Sequence, residues 1–181
     1  GSMESVASDA IGGFNAFLAR QKIEPGRACL TMILFDHEYR VLCDAEPIDQ
    51  VPYLNDSVYV PRGRTALLDA IGQAIAVTTE RVRSSQESEP MENVIVCILT
   101  DGLENASREF TRRQIVDLIA QRKAEGWEFV YLAADMAGIA EGRNLGMNHD
   151  ESVQYLKSPF GMAGAFNSID KRVAKKRRTP R

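Results

Sequence analysis

Six apolar residues, Val94 to Leu99, run without a charge and stop at Thr100-Asp101-Gly102. An unbroken run of this length, rich in β-branched residues, reads as a strand buried on both faces, as in a parallel sheet. A parallel sheet needs helical crossovers, so the feature commits the chain to an alternating α/β plan. It also singles out Asp101, because open α/β sheets place their ligands just past the carboxyl ends of the strands.

The rest of the chain fits that plan. Ala10, Ile11, Phe14, Phe17 and Leu18 recur at helical spacing within a helix expected over 6–21. Gly12-Gly13 interrupts it, which close packing of the helix on a sheet would explain. Ala28 to Phe35 is a second buried strand, and the short Asp36-His37-Glu38 turn returns it as an antiparallel hairpin over 39–45. Residues 47–63 carry Pro52 and Pro61 and no period, so they read as loop. Leu68, Ile71, Ile75, Thr78 and Val82 advance by threes and fours along a helix expected over 65–82. After the central strand, Thr111 and Gln114 have the spacing of a capping box, opening a helix that stops at Gly126. A buried strand over 127–134, a short helix over 136–146, an edge strand over 152–156 and a last helix over 159–173 follow.

The chain has 181 residues and a formal net charge of −3, enough for one domain and naming no partner. Residues 1–170 read as that domain. Lys171, Arg172, Lys175, Lys176, Arg177, Arg178 and Arg181 crowd residues 171–181 into a basic, solvated tail. Cys29, Cys43 and Cys97 have no metal spacing and lie in apolar strand contexts, which suits buried free thiols in a reducing, cytoplasmic compartment. No apolar run approaches the ~18 residues of a membrane span, and no signal peptide is evident.

Two short segments combine with Asp101. Gly63-Arg64-Thr65-Ala66 puts a hydroxyl at the start of the long helix, and Ser2-Met3-Glu4-Ser5 puts hydroxyls ahead of the first. Hydroxyls and a carboxylate form an all-oxygen set that suits a hard cation such as Mg²⁺. Thr65 taken alone reads as a helix N-cap rather than a ligand. Asp36, Glu104 and Asp69 read as solvated or locally paired acids, His37 and His149 as surface histidines, and Trp127 as core.

In these residues the chain resembles a von Willebrand factor type A domain of a small bacterial and phage single-domain type. Gly63 to Ile71 is similar to that family's threonine loop and helix, and Ile98 to Gly102 to its aspartate loop. Phe14 to Leu18 and Leu34 to Tyr39 are similar to the small single-domain branch. The resemblance implies a doubly wound, Rossmann-like, mostly parallel sheet with one antiparallel edge strand, helices on both faces and a metal-ion-dependent adhesion site. It departs at the front. Gly1-Ser2-Met3 is similar to the tail of Asp-x-Ser-Gly-Ser-Met, with no counterpart to the aspartate, the first serine or the first central strand; Gly1-Ser2 also reads as an expression scar.

Ser2, Thr65 and Asp101 are therefore the expected metal ligands, with Mg²⁺ bound weakly or not at all. Without the central strand, the two flanking strands are expected to close up or to take a strand from a second copy, giving a homo-oligomer. The implied function is a non-enzymatic module that recruits an acidic side chain of a protein partner through the cation. Two other classes stay open: a Mg²⁺-dependent phosphoryl-transfer or hydrolytic enzyme using Asp101 with Asp36 and Arg64, and a nucleic-acid-associated protein acting through the basic tail.

Overall fold

The computed structural model describes residues 7–60, 63–85 and 93–178. Its elements are α1 (Ala7–Ile23), β1 (Cys29–Phe35), β2 (Tyr39–Pro47), α2 (Leu67–Ser85), β3 (Ile95–Thr100), α3 (Arg112–Ala124), β4 (Glu128–Ala133), α4 (Met136–Asn144), β5 (Ser152–Gln154) and α5 (Pro159–Arg178). The order is the alternation expected from the sequence. A short 3₁₀ turn, His149–Glu151, leads into β5.

The strands divide into two sheets. β3, β4 and β5 form a parallel sheet in that order, and β1 pairs with β2 as an antiparallel hairpin. The chain is thus mixed α/β, with both kinds of strand pairing. β4 carries the centre of the larger sheet, and its alternation sorts the core into two layers. Phe129, Tyr131 and Ala133 pack with Leu68, Ile71 and Ile75 of α2, Ile115 and Ile119 of α3 and Ile139 of α4. Val130 and Leu132 point the other way, onto Ala10 and Phe17 of α1 and Met162, Phe166 and Ile169 of α5. Helices therefore cover both faces of the sheet, as a parallel sheet requires. The hairpin has a small core of its own, in which Leu18 of α1 meets Ile48 and Val51.

Local chemistry sets the element ends. The capping box forms as expected: the Thr111 hydroxyl accepts from Gln114 N, and the Gln114 side chain accepts from the Thr111 backbone. Gly126 sits at φ +92°, in the left-handed region that a helix terminator favours. Asp135 caps α4 by accepting from Gly138 N at 2.8 Å.

Four expectations need correction. Among the described residues the basic end is no solvated tail: α5 runs on to Arg178, and three of its last cations bind inward. Arg177 donates to the Gln21 carbonyl at 2.6 Å and to the Glu24 carbonyl at 2.6 Å, and Lys176 reaches Glu128 at 2.8 Å. The helix persists because the carboxyl end of α1 supplies acceptors for it. Gly13 packs on a helix rather than a sheet, since a Cβ there would lie 2.5 Å from the Phe166 ring; Gly12 touches nothing. The cysteines are free but not all buried, because Cys29 and Cys97 are exposed. Finally, the strands flanking the expected gap do not close up. Among the described residues no strand pairs with the inner edge of β1 or of β3. Between them lies a cavity of about 1240 Å³, onto which both Cys29 and Cys97 open.

Candidate functional site at the carboxyl ends of the strands

The carboxyl ends of β1 and β3 share one rim, drawn together by the segment that enters α2. Ala66 N donates to the Asp36 carbonyl just past β1. One residue earlier, Thr65 N donates to Asn105 Oδ1 at 3.0 Å, and Asn105 N donates back to the Thr65 carbonyl at 3.0 Å. This two-point clasp fixes the start of α2 against the loop that follows β3. Thr65 Oγ1 then lies so close to Gly102 that a Cβ at Gly102 would be 2.6 Å from it. Glycine at position 102 is what lets the hydroxyl approach. Thr65 and Asp101, 36 residues apart in the sequence, are thereby carried to the same rim. Ser2 lies outside the described residues.

Acids near the rim fall into two kinds. Both carboxylate oxygens of Glu104 are engaged: Oε1 accepts from Ala106 N and Ser107 N, and Oε2 accepts from Leu68 N and from the Ser107 hydroxyl at 2.6 Å. It is a structural clasp at the amino end of α2, where a negative charge also suits the helix dipole. Partial burial pushes its carboxyl up, but these hydrogen bonds outweigh that and hold it below its ordinary value. Asp69, in the first turn of α2, accepts from Arg108 N, Glu109 N and Phe110 N. Neither acid is solvated or paired only with sequence neighbours, as the sequence reading had them. Asp36 holds its own turn, accepting from Glu38 N at 2.7 Å and lying 3.1 Å from His37 Nδ1.

Asp101 is different. Its side chain is only 2% exposed, yet it faces Lys157, whose Nζ lies 2.8 Å from Oδ2. Two phenols stand in its field. Tyr59 is pushed up to about 12 by burial and by the Asp101 charge, and Tyr155 is raised by the same two causes. Both stay protonated at neutral pH. The rim thus joins one carboxylate, one nearby hydroxyl from Thr65 and an ammonium supplied by the chain itself.

Lys157, Tyr59, Tyr155 and Asn105 were not singled out from the sequence. The signal for Lys157 was present, because it follows β5 directly and so belongs to another loop at a strand's carboxyl end. The expected donors Thr65 and Asp101 fit a hard cation in kind, as both offer oxygen. Among the described residues no group of three or more His, Cys, Asp or Glu side chains could hold a metal ion. Also among them, no helix is long and apolar enough to cross a membrane. The chain matches no family model, no curated protein and no solved structure.

Proposed function

We propose that this chain is a non-enzymatic protein-binding module of the von Willebrand factor type A kind, whose Thr65–Asp101 rim recruits an acidic side chain of a partner. The observation that carries the reading is the approach of the Thr65 hydroxyl to Gly102, next to Asp101, at the end of a parallel sheet. Mg²⁺ held by Thr65 and Asp101 would bridge to the partner's carboxylate. Lys157 opposes this by already neutralising Asp101. The two oxygen donors and the competing ammonium together favour weak metal binding, because Mg²⁺ sheds water reluctantly and leans on carboxylates.

The test is calorimetry of the chain with Mg²⁺, then with an Asp-containing peptide in the presence and absence of Mg²⁺. Peptide binding strengthened by Mg²⁺ and lost in Asp101→Ala supports the reading. Peptide binding that ignores both the metal and the substitution sinks it. Phosphate-ester hydrolysis that disappears in Asp101→Ala would replace it with the enzymatic alternative.

A further inference from the structure

Large apolar side chains stand exposed at the carboxyl ends of β3, β4 and β5, around the Asp101–Lys157 pair. Phe160 is 91% exposed, Leu156 69% and Met136 63%, and Leu103 is half-exposed. Strand register gathers them. Thr100, Ala133 and Gln154 are neighbours across the three strands. Adjacent strands lie about 4.8 Å apart, so the chain leaves the sheet at three points side by side. Leu103, Met136 and Leu156 follow these exits within three residues. Phe160 stands in the first turn of α5, which is pressed onto Leu156: a Cβ at Gly161 would lie 2.7 Å from Leu156 Cβ. Leu103, Met136, Leu156 and Phe160 take no part in lining the cavity between β1 and β3. One exposed leucine means little, but a collar of such side chains around a charged pair marks an interaction surface.

The pair at the centre is not symmetric. The Asp101 side chain is 2% exposed, whereas that of Lys157 is 39% exposed. A partner can therefore reach the ammonium but not the carboxylate. An ammonium has three N–H donors, and Lys157 gives one to Asp101 Oδ2. The collar thus presents a positive centre, held in place from beneath and able to donate to a second carboxylate. Apolar residues around a lysine also suit a membrane surface. Against that, Asp135 is exposed beside Met136, where it would meet anionic headgroups, and the formal net charge of the chain is −3.

We infer that this collar is a metal-independent docking surface for a protein segment in which an acidic residue lies between two apolar ones. The carboxylate accepts from Lys157. The flanking apolar side chains cover Leu156 and Phe160 on one side and Leu103 and Met136 on the other. Apolar burial supplies affinity, and the ammonium supplies selectivity. Covering the collar also excludes water from the charge pair, which strengthens it. The inference rests on the proposed function only for the acid in the partner, and needs neither Mg²⁺ nor the Asp101 oxygens.

The test uses the whole chain, with a chelator present, and a fluorescent peptide carrying aspartate between two leucines in a serine–glycine chain. The expected result is saturable binding, with resonance shifts centred on Leu103, Met136, Leu156, Lys157 and Phe160. Asparagine in place of the aspartate should weaken binding about threefold, the scale of a partly exposed ion pair. Leu156→Ser and Phe160→Ser, at exposed positions that leave the core intact, should each weaken it about tenfold. Lys157→Gln keeps a donor for Asp101 and should bind both peptides alike. If Lys157→Gln does not fold, the two peptides compared on the unaltered chain at low and high salt decide instead. Chelator-insensitive binding that fades in the collar variants sustains the inference even where Mg²⁺ adds nothing, an outcome that would sink the metal-bridged reading alone. Binding that appears only with Mg²⁺ and is unmoved by Leu156→Ser and Phe160→Ser would overturn the inference and leave that reading standing. Absence of binding, or equal binding of the aspartate and asparagine peptides to the unaltered chain, would overturn it as well. So would self-association, or capture by phosphatidylserine vesicles, that is lost in Phe160→Ser; these give the collar to a second copy or to a membrane.

Discussion

At the scale of single residues, the contact that most constrains chemistry is Lys157 on Asp101. An ammonium 2.8 Å from a nearly buried carboxylate competes for the oxygen that the proposed Mg²⁺ would need. Lys157→Met removes the competitor and leaves the carboxylate in place. Mg²⁺ or Mn²⁺ affinity should rise about tenfold, a change of roughly 1.4 kcal/mol. Calorimetry or the broadening of nearby resonances by Mn²⁺ reads it, and an unchanged affinity would mean that Lys157 does not guard the site. Glu104 carries a different prediction. Its carboxyl is held below its ordinary value of 4.5 in the folded chain. Its contribution to stability is therefore whole above that value and is lost as pH falls through and below it, because the unfolded chain takes up the proton first. Glu104→Gln should destabilise the chain at pH 7 by about 1–3 kcal/mol, the usual loss for unsatisfied buried groups. It should also flatten the decline in stability below pH 4.5, as measured by urea unfolding across pH. Asp101 and Thr65 stood out in the sequence because a strand end and a helix start flagged them. Glu104 and Asp69 did not, because the contacts that tie them to another segment, Glu104 to Leu68 N and Asp69 to the backbone of 108–110, span 36 to 41 residues, and no local pattern encodes such a distance.

At the scale of elements, the paired glycines of α1 separate two effects that sequence cannot tell apart. Both interrupt a helix, and each costs about 1 kcal/mol against alanine. Nothing lies within 4 Å of a Cβ at Gly12, whereas one at Gly13 would meet the Phe166 ring at 2.5 Å. That ring is itself wedged against Phe14 and Phe17, with centroids 6.3 Å away in both cases, so it cannot simply step aside. Gly12→Ala should stabilise the chain by about 0.5–1 kcal/mol. Gly13→Ala should destabilise it by about 1 kcal/mol or more, since overpacking costs roughly 1–3 kcal/mol and exceeds the gain in helix propensity. Phe166→Leu should relieve the Gly13→Ala penalty in the double variant, and thermal unfolding of the four proteins closes the cycle. If the effects add without coupling, Gly13 is not there for the ring. Periodicity gave the helices and strands in order, because it is a property of short windows. It did not carry α5 past Val173, because the last turn and a half holds four cations, three of which, Lys176, Arg177 and Arg178, find carbonyls and carboxylates at the far end of α1 and the start of β4.

At the scale of the whole molecule, the two sheets share helices but, among the described residues, no ladder. The hairpin is tied to the rest by the small core around Leu18, by the bond from Ala66 N to the Asp36 carbonyl, and by Arg81, whose Nη1 donates to the Thr31 hydroxyl at 3.1 Å and whose Nη2 pairs with Asp44. β4, by contrast, is flanked by strands on both sides and covered by helices on both faces; its residues from Phe129 to Ala133 are fully buried. Cooperative unfolding follows the density of such ties, so the two parts should open at different free energies. Native-state hydrogen exchange in low denaturant should show amides of β1 and β2 exchanging through a partial opening, several kcal/mol easier than the global unfolding reported by β4. Arg81→Ala removes both of its contacts, the hydrogen bond to Thr31 and the half-exposed pair with Asp44, together worth about 1 kcal/mol. It should bring the hairpin's opening closer by about that amount, while leaving the free energy of β4 exchange within a few tenths of its original value. Equal protection of β1 and β4, moving together on Arg81→Ala, would mean that the sheets unfold as one unit and that something other than shared helices couples them across the cavity.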